Sequence, residues 1–182
     1  MKYELTSFTE KQLLKQRLCD LKLQPSPEIE EAFFKVQRVL EKKKLLIRPH
    51  YWISEEWFCP DGITGMAFPF YLCDPILKEM EEKYTGEVEG VGGDALQYIF
   101  HELGHVIDNA YLLRDHPKRV STFGSSYINY PTKYKPKPYS KKYVQYLPGH
   151  YAQAHPEEDF AESFAVWMDP KINWREKYKK WP

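Results

Sequence analysis

Residues 101–105 read His101-Glu102-Leu103-Gly104-His105, and residues 156–164 read Pro156-Glu157-Glu158-Asp159-Phe160-Ala161-Glu162-Ser163-Phe164. How the first stretch is read decides the fold. Around it, Leu96, Phe100, Leu103, Ile107 and Ala110 recur at helical spacing, and Asp94 with Gln97 three residues later reads as a capping-box start. A helix from Asp94 to about Leu113 places His101 and His105 one turn apart, where both imidazoles can reach one ion at roughly 2.0–2.1 Å. Glu102, a step further round, then faces a water on that ion without being a ligand. With this composition His-Glu-x-x-His arises by chance about two times in a hundred, so its surroundings must carry the argument.

A catalytic zinc needs a third protein ligand and an open position for water. A metzincin would place Gly three residues after the second His and a third His six after it; Asp108 and Tyr111 stand there, which excludes that class. The second stretch supplies carboxylates instead. Pro156 to Met168 reads as a helix whose buried face is marked by Phe160, Phe164 and Trp167, with Glu158 and Glu162 one turn apart on another face. One of the pair can bind zinc while the other accepts an imidazole N–H behind it. Glu157 reads as a solvated residue of an acidic first turn, which the helix dipole favours in any protein. Two readings stand for Asp108, orienting His105 or capping Arg114. His50, His116, His150 and His155 are not expected to be ligands; His150 or His155 in place of Glu158, giving a three-histidine site, is the lesser alternative.

The His-Glu-Leu-Gly-His stretch followed by Glu158-Asp159-Phe160-Ala161-Glu162-Ser163-Phe164-Ala165-Val166-Trp167 resembles the gluzincin-type zincin metallopeptidases. Closest is a bacterial family of zinc-binding metallopeptidases with the pattern HExxH…HPxEDFAE. The likeness runs from about Tyr51 to Trp174. It implies an α+β zincin-like domain: a small twisted sheet and the active-site helix above, a glutamate helix below, and a cleft between. Matched residue by residue, it implies zinc held by His101, His105 and Glu158, with Glu162 orienting His101. The anthrax lethal factor branch also has a Tyr seven residues before the ligand Glu, a position held here by Tyr151, whose phenol would hydrogen-bond the oxyanion. Peptide hydrolysis by a metal-activated water, with Glu102 as general base and then acid, is the activity implied.

Outward from the motifs, the 182 residues suit one domain, with 42% apolar and 29% charged residues and a formal net charge of zero. That balance removes any global pull toward nucleic acid or an anionic membrane. No apolar run is long enough to span a bilayer, and the N-terminus carries no signal-like stretch. Cys19, Cys59 and Cys73 are odd in number and far apart, which argues against a disulfide framework and fits a reducing cytoplasm. Residues 1–44 read as helical: Thr9 caps a helix to about Lys22 with Leu13, Leu14, Leu18 and Leu21 on one stripe, and Ser26 with Pro27 starts a second carrying Ile29, Phe33, Val36 and Leu40. Residues 45–113 hold strands at Leu45–Ile53 and Ile63–Leu72, a turn at Cys59-Pro60-Asp61-Gly62, a helix at Pro75–Tyr84 and the histidine helix. Residues 114–182 hold a long connection and the glutamate helix.

Two weaker expectations remain. Zincins usually bind substrate as an added strand along the sheet edge, and Gly65, Met66 and Ala67 could supply that edge, with an ordinary interior or edge strand as an equal reading. Between Arg114 and His150 stand eight Lys or Arg against one acidic residue, interleaved with Tyr130, Tyr134, Tyr139, Tyr143 and Tyr146. This run reads first as a solvated loop with tyrosines packed beneath it. A nucleic-acid surface recruiting a zinc protein is the less favoured alternative, and a non-catalytic zinc domain is a third.

Overall fold

The computed structural model describes residues 5–92 and 94–181. Near the N-terminus Thr9 forms a capping box with Gln12 and starts α1, Glu10–Leu13. The helix expected to reach Lys22 stops there, and a separate 3-10 turn covers Leu18–Asp20. Leu13 and Leu21 each dock into the core while Leu14 is 56% exposed. The leucines are separate anchors rather than one stripe, so nothing rewards a continuous helix. Ser26 caps α2, Pro27–Lys42, with Pro27 in its first turn, and Ile29, Ala32, Val36 and Leu40 form the buried face.

Strand β1, His50–Ser54, begins five residues later than the apolar pattern suggests. Pro49 has no N–H for a ladder, and Leu46 lies 94% exposed. It pairs in parallel with β2, Gly65–Pro69, in the register Tyr51↔Met66 and Trp52↔Ala67. The connection between them crosses to the other edge of β2. There Phe58 bridges Ala67 in antiparallel fashion, the Ala67 N–H donating to the Phe58 carbonyl at 2.8 Å. The turn at residues 59–62 closes with Gly62 at φ +73°, a left-handed value suited to glycine. The result is a mixed α+β arrangement with a two-stranded parallel sheet whose β2 also carries the Phe58 bridge.

Helix α3, Pro75–Thr85, is capped by Asp74 and ends on Gly86 in the left-handed conformation. Helix α4, Ala95–Ala110, carries the histidines. Asp94 makes no side-chain cap: it is already near-helical, at φ −85° and ψ −8°, whereas a capping side chain reaches back from an extended residue. The long connection is not structureless. It contains α5, Pro117–Phe123, and a 3-10 segment at Pro148–Gln153. Helix α6, Pro156–Met168, keeps the expected bounds, and α7, Trp174–Lys177, follows.

One hydrophobic cluster joins Leu5 through Met168, with Leu40, Phe68, Ile99, Leu103, Val106, Ala165 and Met168 almost wholly buried. Helices α4 and α6 approach closely at Gly104, where a Cβ would stand 2.6 Å from the Ala161 Cα. The buried face of α6 is therefore not the aromatic one expected. Phe160 and Phe164 are partly exposed and Trp167 is 38% exposed, while Glu158, Ala161, Glu162 and Ala165 face α4. Small residues let the backbones meet, and the two carboxylates can be buried because each finds partners. Among the described residues, no helix is long and apolar enough to cross a membrane.

Candidate metal centre

Helical spacing on α4 stacks His101 over His105, and the close Gly104–Ala161 contact brings α6 up beneath them. Glu158 Oε2 lies 3.0 Å from His101 Nε2 and 3.3 Å from His105 Nε2. One ligand atom from each of the three residues lies within 4.8 Å of the others, and no other such group of three occurs among the described residues.

His101 is oriented from behind. Its Nδ1 stands 2.8 Å from Glu162 Oε1, while Glu162 Oε2 accepts the backbone N–H groups of Tyr146 at 3.1 Å and Leu147 at 2.9 Å. Glu162 is fully buried yet fully satisfied as an acceptor. With Nδ1 donating to it, a neutral His101 ring turns an Nε2 lone pair toward Glu158 Oε2. That oxygen is buried and makes no hydrogen bond. Acceptors that face one another inside a protein call for a cation between them.

The electrostatics agree. Burial alone would push both histidines down, but the Glu158 carboxylate beside them, joined at His101 by Glu162, outweighs it and raises both. Burial would likewise raise Glu158, but the two rings beside it hold it well below the usual carboxylate range. Positive charge is thus drawn into the site, and a divalent ion bound by neutral imidazoles and a carboxylate would supply it without protons. The two-nitrogen, one-carboxylate donor set is one that could hold a metal ion. Glu102 is 6% exposed, has no hydrogen-bond or ion-pair partner among the described residues, and is raised chiefly by burial. A raised carboxyl beside the donor cluster is what a proton carrier requires.

These groups line a cleft of about 540 Å³. Its rim includes Trp57, stacked on Tyr98 at 5.6 Å, and Tyr151, whose ring centroid is 5.5 Å from that of His101. None of the three residues considered for a substrate strand lines this cleft. Gly65, Met66 and Ala67 are buried, with β1 on one side and Phe58 on the other, and a Cβ on Gly65 would meet the His50 carbonyl at 2.8 Å. The edge that lines the cleft is the Trp57–Cys59 segment. A single apolar run could not show that an irregular connection would cover β2.

Two further side chains depart from expectation, and a third has a role the sequence did not show. Asp108 neither orients His105 nor caps Arg114; its Oδ2 pairs with Arg119 at 3.1 Å, both side chains being 3% exposed, which ties α5 to α4. Glu157 is not solvated: it is buried, receives Arg114 at 3.0 Å and has the Tyr130 hydroxyl 3.0 Å from its other oxygen. His155 is no ligand but the cap of α6, its Nδ1 accepting from the Glu157 N–H at 3.2 Å. His150 also stands apart from the donor cluster. Burial pushes the Cys59 thiol up to about 12, with Glu102 adding to the effect, so it is no nucleophile.

Sequence reasoning missed Tyr130, whose hydroxyl lies 2.8 Å from Glu158 Oε1. It sits 28 residues from its partner in a run of tyrosines, and no periodic signal marks it. Within that basic run Tyr146 is buried and bonded to Asp169 at 3.1 Å, Tyr134 bonds the Gly149 carbonyl at 3.1 Å, and Tyr139 is 96% exposed. Comparison with protein-family models, curated proteins and solved structures gives no match for this chain.

Proposed function

We propose that this chain is a zinc-dependent peptidase of zincin type, in which His101, His105 and Glu158 hold the metal. The observation that carries the reading is the buried, unbonded Glu158 Oε2 facing two imidazole nitrogens beside an unpaired Glu102. Zinc in such a site supplies Lewis acidity, lowering the pKa of water toward ~7 and polarising a carbonyl. Glu102 accepts the proton of the attacking water and returns it to the departing amine. Its burial favours the protonated form needed for that second transfer. Glu162 fixes the His101 tautomer so that Nε2 remains a donor to the metal. Tyr151, in the cleft wall, donates its hydroxyl to the carbonyl oxygen as charge develops there, a contribution of about 10²–10³ in rate. A peptide or protein substrate lies along the Trp57–Cys59 edge. The free thiols Cys19, Cys59 and Cys73 fit a cytoplasmic setting.

The test is zinc-dependent hydrolysis of a peptide library by wild type and Glu102→Gln. The variant is expected to retain stoichiometric zinc and to lose at least about 10² in rate. Purified protein that takes up no zinc, or a variant as active as wild type, would refute the peptidase reading.

A further inference from the structure

The long connection after α4 reaches back to the metal cluster at a point that the hydrolytic scheme leaves unused. Tyr130 places its hydroxyl 2.8 Å from Glu158 Oε1 and 3.0 Å from Glu157 Oε2. One hydroxyl carries one proton. Glu157 already receives the Arg114 guanidinium at 3.0 Å on its other oxygen, whereas Glu158 Oε1 has no other hydrogen-bond donor among the described residues. The shorter contact and the greater need coincide, so the proton belongs to Glu158.

The phenol is itself held in place. Its ring stacks on His155 with centroids 3.8 Å apart and planes 14° apart. His155 is fixed at both nitrogens: Nδ1 accepts the Glu157 N–H at 3.2 Å, so Nε2 carries the proton and donates to the Ile128 carbonyl at 3.0 Å. The imidazole that caps α6 therefore also anchors the ring that reaches its glutamate. The segment from Ile128 to Tyr130 is thus tied to the start of α6 at both His155 and Glu158.

We infer that Tyr130 is a positioning residue for Glu158, holding Oε1 so that Oε2 alone is presented to His101, His105 and the ion they would bind. This rests on the metal reading of the cluster. A carboxylate with both oxygens free can rotate, or close on the ion through both; one with Oε1 pinned offers a single donor and leaves room for substrate oxygen. Ligand-orienting partners of this kind are commonly worth tenfold to a hundredfold in metal affinity.

Zinc is titrated calorimetrically, against a competing chelator, into the metal-stripped 182-residue wild type, Tyr130→Phe and Tyr127→Phe. Phe at 130 keeps the ring for the His155 stack and removes only the hydroxyl. The Tyr127 hydroxyl bonds Asp115 at 3.1 Å in the same connection and touches no metal-donor residue, so its loss reports the cost of a phenol–carboxylate contact alone. The expected result is a tenfold to hundredfold weaker zinc affinity for Tyr130→Phe and an unchanged affinity for Tyr127→Phe. Tyr130→Phe binding within about twofold of wild type, or both variants weakened equally, overturns the inference while leaving the metal site standing. Wild type that binds no zinc overturns the metal reading, and the inference falls with it.

Discussion

Gly104 lies between the two histidines on α4, and Ala161 lies between Glu158 and Glu162 on α6, so the contact between them governs the ligand spacing. A Cβ added at Gly104 would stand 2.6 Å from the Ala161 Cα and 3.1 Å from its Cβ and carbonyl oxygen. Carbon atoms in ordinary contact sit about 3.5–4.0 Å apart, so Gly104→Ala forces the helices apart by about 1 Å. Metal sites tolerate displacements of only about 0.2 Å in ligand distance. Glu158 Oε2, now 3.0 and 3.3 Å from the two Nε2 atoms, is carried out of common reach. Stability moves less. Overpacking costs about 1–3 kcal/mol, and replacing a helical Gly by Ala returns about 1 kcal/mol, leaving a net loss of roughly 0–2 kcal/mol. The expected signature is zinc affinity reduced at least about tenfold, on the scale of a displaced ligand partner, in a protein that still unfolds cooperatively in urea. Adding Ala161→Gly removes only the Cβ contact and leaves the Cα and carbonyl clashes, so rescue should be partial. If Gly104→Ala binds zinc within about twofold of wild type in chelator competition, the helix contact does not set the site.

Glu158→Gln should abolish stoichiometric zinc binding measured by metal analysis after dialysis, whereas Glu157→Gln should retain it, because Glu157 is engaged by Arg114 and Tyr130 rather than by the histidines; equal loss in both would overturn the ligand assignment. Asp159, 9% exposed, is pushed up to about 7, first by burial and then by the charge of Glu162. Between the unfolded value near ~3.9 and about 7 the folded chain holds a proton that the unfolded chain has lost, so this group makes stability fall as pH rises. Asp159→Asn should therefore gain stability relative to wild type at pH ~8 over pH ~5 in urea titrations; an unchanged difference at the two pH values would contradict it.

Local chemistry made much of the chain legible. Ser26-Pro27 and Pro156 mark helix starts through capping and a proline whose missing N–H costs nothing there. The one-turn spacing of His101 and His105, and of Glu158 and Glu162, follows from helical period alone. Position within the period did not say which face of α6 is buried. The aromatic residues made a stronger apolar signal than the carboxylates, yet Glu158 and Glu162 take the interior because His101, His105 and two backbone N–H groups meet them there. The β2 pattern likewise identified a strand but not its neighbours. Phe58 comes to cover it through an irregular connection with no pattern of its own.

By itself, then, the sequence determined the one-turn pairing of His101 with His105 and of Glu158 with Glu162, and the absence of a metzincin-type third histidine. These depend on residues within a turn of one another, where covalent geometry and helical period leave little freedom. Only the tertiary structure decided that Glu157 turns to Arg114, that Asp108 serves Arg119, that the Trp57–Cys59 segment lines the cleft, and that Tyr130 reaches Glu158. Each of those choices joins segments at least eleven residues apart or sets one carboxylate against its neighbour. Burial selects among them: a charge removed from water must find a partner, and which partner lies within reach is a property of the packed chain.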